Sequence, residues 1–261
     1  MDWYGTNLYT KEKRHIIACH VFWRELCYYA ALAPQIFQFH FLKQGLHCVP
    51  DTLRKELQRT IDSVEKECLE GGADGARESV DAILLGYGLC SNGLVGIQAR
   101  TLPLVVPRGH DCITLLLGSK ERYREYFDSH PGTYWYSPGW IDTSTQPSRE
   151  RYERVLAHYI ETYGEENAPY LMEASENWMT CYNTAAYVDL GVGDTERYKA
   201  YTRECAEWLK WKCDFLQGDP GLLRRFLEGP WDDKDFLVVQ PGETIVASFD
   251  ERVIAAERRG E

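Results

Sequence analysis

Three soft metal donors stand in the middle of this sequence: Cys90, His110 and Cys112. They close two similar runs. Residues 82–96 pass from an apolar stretch beginning at Ala82 through Gly86, Tyr87 and Gly88 to Cys90. Residues 102–118 pass from an apolar stretch beginning at Leu102 through Arg108 and Gly109 to His110, Asp111 and Cys112. Each reads as a short strand, a glycine-bearing turn and the start of a helix. In an open parallel sheet the strand ends converge on a crevice where ligands bind. Zinc prefers thiolate sulfur and imidazole nitrogen, and ligands two residues apart can serve one ion from a turn. Further ligands must come from elsewhere, and Cys90, Cys19 and Cys181 are the candidates beside His110 and Cys112. Three thiols in one crevice would equally suit an iron–sulfur cluster. The plainer account is that His110 and Asp111 cap a helix beside a buried Cys112, and that Cys19 is a small core side chain.

The turn around Cys90 supports a second expectation. Glycines let backbone N–H groups approach an anion, and a helix starting there would add positive potential. Gly88, Asn92 and Gly93, with Arg108 as a partner for carboxylate or phosphate, are therefore the expected cofactor contacts. The same field would lower the pKa of Cys90. That allows a metal-free alternative in which Cys90 attacks an electrophile with His110 as base. The glycines could also serve turn geometry alone. Their spacing is not the dinucleotide fingerprint and no Walker lysine follows, so NAD and ATP are poor expectations. His47 is a further imidazole that could line the site. Trp135, Tyr136, Trp140, Tyr182 and Tyr187 could wall a pocket for a flat ligand or simply fill a core.

Positioning these residues takes alternating elements. Residues 14–22 begin as a buried strand, residues 23–33 look helical until Pro34, and residues 35–42 alternate as a strand does. A capped helix is predicted from Pro50 to about Leu69, with a glycine turn at 71–75. Residues 119–130 and 146–163 read as charged helices, with a strand or lid-like loop between them. Another helix is predicted from Ala168. Residues 178–189 read as a strand end or a helix start, 195–215 as one long helix, and 236–243 as a strand and turn. The pattern predicts an α/β fold with a largely parallel sheet and helices on both faces. A single domain over residues 1–261 is expected, with a possible sub-domain boundary near 131–148. The recurring strand–thiol–helix units could mark two pseudo-repeated α/β halves.

Bulk properties narrow the function. The net charge of −11 argues against nucleic acid and against anionic membrane surfaces as partners. No stretch is long and apolar enough to span a bilayer, and the N-terminal residues lack a secretory pattern. A cytoplasmic protein is expected. Nine cysteines in a reducing compartment point to free or metal-bound thiols. Cys68, Cys205 and Cys213 fall in helical-looking segments and are expected to be packing or surface thiols.

Two resemblances add context. The His-x-Cys…Cys pattern is similar to the zinc motif of methyltransferases that activate a thiol, which implies zinc lowering the pKa of a methyl acceptor. Over nearly its whole length the chain also resembles an uncharacterised family of methanogens and anaerobic bacteria. The stretches at 83–96, 107–118, 45–58 and 178–191 carry that likeness. Members are often encoded near corrinoid methyltransferases. The resemblance implies a setting in anaerobic one-carbon metabolism, with corrinoid or methyltransferase proteins as partners; with the Cys and His residues above, the expected cofactor is a metal ion or iron–sulfur cluster, or a corrinoid. The alternatives are a thiolate-zinc methyltransferase, as the zinc-motif resemblance implies, and the metal-free cysteine nucleophile.

Overall fold

Lys13–Cys19 forms strand β1, which is buried on both faces from Arg14 onward. Such a run has no polar side, as expected of a strand inside a parallel sheet. The computed structural model describes residues 12–70 and 80–258, so the turn expected at 71–75 lies outside the described residues. A 3-10 turn follows at His20–Phe22, and helix α1 (Trp23–Leu32) stops two residues before Pro34. Strand β2 (Ile36–Leu42) is only half-buried along its length, as an edge strand is. Helix α2 (Pro50–Glu70) buries Leu53, Leu57, Ile61, Val64 and Cys68 on one side. Their spacing of three to four is the helical period. Strands β3 (Val80–Gly86) and β4 (Leu104–Pro107) are apolar and buried, and helix α3 (Cys112–Leu117) begins five residues after β4.

The chain forms two compact units. One runs from Leu116 to Asp219, and the other comprises the residues before and after it. The Leu116–Asp219 unit contains α4 (Lys120–Ser129), capped by Ser119, and β5 (Thr133–Tyr136). There follow α5 (Pro138–Thr143), α6 (Arg149–Tyr163), α7 (Ala168–Glu176), a 3-10 turn at Asn177–Cys181, and β6 (Thr184–Asp189). Residues 131–148 lie inside this unit. The long helix read over 195–215 is two elements: α8 (Thr195–Leu209) and β7 (Lys212–Gln217). Lys210 takes a left-handed conformation that ends the helix. The next segment pairs with β6 from Lys212 to Gln217, so sheet pairing overrides its helical spacing. The three strands lie parallel in the order β5-β6-β7 over a core that includes Tyr136, Tyr187, Tyr198 and Cys205.

The other unit is completed by α9 (Gly221–Glu228), β8 (Phe236–Val239) and the hairpin β9 (Glu243–Ala247) and β10 (Ile254–Arg258). Its main sheet has the order β2-β1-β3-β4-β8. The first four strands are parallel and β8 is antiparallel to β4. The fold is thus α/β with mostly parallel strands. Because β2 lies on one side of β1 and β3 on the other, the order reverses between β1 and β3. Sheets of this kind bind ligands outside the carboxyl ends of the strands at that reversal. Among the described residues no helix is long and apolar enough to cross a membrane.

Candidate functional site

The register fixes what meets at the reversal. Ala18 lies beside Gly86, so Cys19 and Tyr87 leave neighbouring strands side by side. A Cβ on Gly86 would stand 2.6 Å from the Ala18 Cβ, which is why the position is glycine. Beyond the strands, the loops after β3 and β4 are stitched together. Leu89 N–H donates to the Gly109 carbonyl at 2.8 Å, and Cys90 N–H donates to the His110 carbonyl at 3.0 Å. The approach is close enough that a Cβ on Gly88 would lie 2.7 Å from the Asp111 backbone.

The helix expected after Cys90 is absent. Cys90, Ser91 and Asn92 have φ of 46°, 56° and 65°, and residues 90–96 form turns. Three successive left-handed residues cannot continue a right-handed helix and are unfavourable for side chains of this kind. Arg54 of α2 holds the loop, donating to the carbonyls of Val95 and, at 3.2 Å, Asn92. Gly93 N–H is used within the loop, on the Cys90 carbonyl at 3.0 Å. Gly88 is buried and Asn92 is exposed.

Without that helix, nothing lowers the Cys90 pKa to the extent expected. Burial pushes the thiol up to about 12, and negative charge on Cys19 and Asp111 pushes the same way. Cys112 is raised well above its ordinary value by burial first, then by Asp111, Cys90 and Cys19. Burial also raises Cys19. The expectation of an activated Cys90 is therefore corrected: in the metal-free protein it is a protonated thiol at neutral pH. Cys19 thus adds to the rise at Cys90, and Cys90 and Cys19 add to the rise at Cys112. Each also has a backbone hydrogen bond favouring the thiolate, from Val21 and His20 to Cys19, from Gly88 to Cys90, and from its own residue to Cys112.

Tyr87 is the residue that motif reading misses. It is 3% exposed, and its hydroxyl is buried with no hydrogen-bond partner. Burial raises its pKa far above the phenol value, and Cys19, Cys90 and Cys112 add to the rise in that order. Its phenol therefore senses all three thiols. The sequence signal was a bulky polar-tipped residue between two glycines at the end of an apolar strand.

The other expected residues fall as follows. His110 is exposed and contributes its carbonyl to Cys90. Asp111 caps α3, accepting from Ile113 N–H at 3.0 Å. His47 is half-buried; burial lowers its pKa, and the Asp111 carboxylate opposes that. Arg108 is 4% exposed and turned to the C-terminal segment. It donates to the carbonyls of Phe236 and Arg252, both at 3.1 Å, to that of Ile254, and to Asp233 at 2.6 Å. Cys181 is exposed and precedes β6, at the amino end of its strand. Tyr136 and Tyr187 are core residues of the Leu116–Asp219 unit, and Trp135 packs on Tyr123 and Tyr126. Among the described residues no three His, Cys, Asp or Glu side chains are gathered closely enough to hold an ion as they stand.

Fold and site together define an α/β protein in which Cys19, Cys90 and Cys112 lie just beyond the carboxyl ends of β1, β3 and β4. The chain belongs to the DUF1638 family of proteins of unknown function, which matches residues 41–227. That stretch contains Tyr87, Cys90 and Cys112; Cys19 precedes it. No curated protein and no solved structure matches the chain.

Proposed function

We propose that this protein binds a soft metal or metallocofactor through the thiolates of Cys19, Cys90 and Cys112. The observation that carries the reading is that the loops bearing Cys19, Cys90 and Cys112 leave the same edge of the sheet, with Cys90 N–H bonded to the His110 carbonyl. Backbone N–H groups favour negative sulfur at all three cysteines, while burial opposes it, as does neighbouring negative charge at Cys90 and Cys112. A cation resolves that conflict, because it turns mutual repulsion into shared attraction and draws off the thiol protons. Cys19 follows β1 beside Tyr87, and the loop carrying Cys90 is hydrogen-bonded to the loop carrying His110 and leading to Cys112. His110, on the loop bonded to Cys90, is the candidate for an additional nitrogen ligand.

Zinc and an iron–sulfur cluster both suit a thiolate-rich set. A corrinoid is the third candidate, and the setting is anaerobic methyl-group metabolism, as the family resemblance implies. The metal-free nucleophile is disfavoured by the raised Cys90 pKa. Elemental analysis and an absorption spectrum of anaerobically purified protein test the reading. The expected result is stoichiometric zinc or iron, or a corrinoid spectrum, that is lost in Cys19→Ser, Cys90→Ser and Cys112→Ser and kept in Cys213→Ser. Metal-free, colourless protein that also fails to take up added zinc would overturn it.

A further inference from the structure

A fully buried imidazole stands on β1, where His15 precedes Ile16, Ile17 and Ala18 in the core. Such a ring needs both nitrogens bonded. His15 Nδ1 lies 3.1 Å from Nε2 of His40 on β2, and His15 Nε2 lies 3.6 Å from the sulfur of Cys68 on α2. The two rings are 14° from coplanar, with centroids 5.4 Å apart. That separation is the nitrogen–nitrogen distance plus a ring radius on each side, so the two nitrogens point straight at each other. A line of hydrogen bonds thus runs from a thiol only 6% exposed, through the core, to a half-buried ring on the edge strand.

A neutral imidazole carries one N–H, so the hydrogens along this line all point the same way. In one direction the thiol donates to His15 and His15 donates to His40. In the other, Cys68 is a thiolate accepting from His15, and His40 carries the proton as an imidazolium. Burial lowers the His40 pKa, and the carboxylate of Glu67, next to Cys68 on α2, opposes that.

We propose that Cys68 is a nucleophilic thiol served by a proton relay through His15 and His40, and that it reacts with a small hydroperoxide. None of the cysteines of the metal-binding reading takes part, so the two stand separately. The Cys68 thiolate attacks one peroxide oxygen. An S–O bond forms, the O–O bond breaks, and the leaving oxygen takes the relay proton, departing as water when the oxidant is hydrogen peroxide. The thiol is oxidised to a sulfenic acid as the peroxide is reduced. A peroxide fits on two counts: it is small enough for a nearly buried sulfur, and its cleavage calls for a thiolate and an acid together. His40 is a positioning residue, acting on the sulfur through His15.

The test treats the full chain with limiting hydrogen peroxide under anaerobic conditions and follows oxygen added at each cysteine by peptide mass spectrometry. Cys181, which is exposed, is the reference within the same molecule. Cys68 should be oxidised about tenfold faster than Cys181, as a larger thiolate fraction requires. His40→Gln keeps an amide to bond His15 but cannot hold the proton, and it should slow Cys68 about tenfold while leaving Cys181 unchanged. Its denaturation midpoint, measured alongside, separates lost relay from lost fold. Oxidation of Cys68 in the wild type no faster than that of Cys181 would overturn the proposal whatever the variant does. An unchanged Cys68 rate in folded His40→Gln would overturn it too, leaving Cys68 and His40 as mere packing partners of His15.

Discussion

The backbone N–H of Cys90 donates to the carbonyl of His110 at 3.0 Å. This bond splices the loop after β3 to the loop after β4, and it sets Cys90 near Cys112. With Cys19 ending the adjacent β1, donors far apart in sequence share one edge of the sheet. The site is therefore a property of strand order and loop pairing more than of any local motif.

Gly88 tests that splice. An alanine there would place its Cβ 2.7 Å from the Asp111 backbone, which has no flexible end to yield. Gly88→Ala should destabilise the protein by about 1–3 kcal/mol, the usual cost of overpacking. It should also lower metal uptake by pushing the two loops apart. Urea denaturation and zinc titration on the same sample check both effects.

A raised thiol pKa has a signed consequence for stability. Cys90 titrates at about 12 in the folded chain against an ordinary value of 9.0, so the folded state holds its proton more tightly. Its contribution is present in full below about pH 9 and is lost as pH rises toward 12. The metal-free protein should therefore lose stability across that window, and Cys90→Ser should lose less. Denaturant midpoints measured from pH 8 to 11 make the comparison.

Glu65 organises the entry to β4. Its carboxylate is 3% exposed and accepts from the N–H groups of Arg100, Thr101 and Leu102 at 3.3, 2.9 and 3.0 Å. Glu65→Ala would leave those donors without their acceptor. A loss of about 3 kcal/mol is expected, from charge-assisted bonds and stranded amides together. Thermal or chemical unfolding reads it directly.

Arg108 separates a structural tie from an anion contact. Its guanidinium holds three carbonyls of the C-terminal segment together with Asp233. Arg108→Ala should cost about 3 kcal/mol or more, because it leaves buried carbonyls unpaired. Metal content per folded molecule should stay unchanged. A variant of full stability with weakened metal or anion binding would contradict this role.

Much of the fold was legible because its signals are local. The run ending at Cys19, the alternation from Ile36 to Leu42 and the capped helix from Pro50 all gave the right elements. The segment at 212–217 was misread because Lys210 ends α8 in a left-handed conformation that carries no glycine. The helix expected after Cys90 failed for a related reason: three left-handed residues occur without a single glycine among them. Cys19, Cys90 and Cys112 could be nominated from their places at strand ends. Tyr87 could not, since the lack of a partner for its buried hydroxyl is visible only in the fold. Arg108 looked like an anion ligand because its partners lie more than a hundred residues away.

X-ray absorption at the zinc edge of zinc-loaded protein bears most directly on the central claim. Three sulfur scatterers at about 2.3 Å are expected, and Cys112→Ser should lose that sulfur shell together with the bound zinc. A first shell of nitrogen and oxygen alone, unchanged by that replacement, would contradict the account.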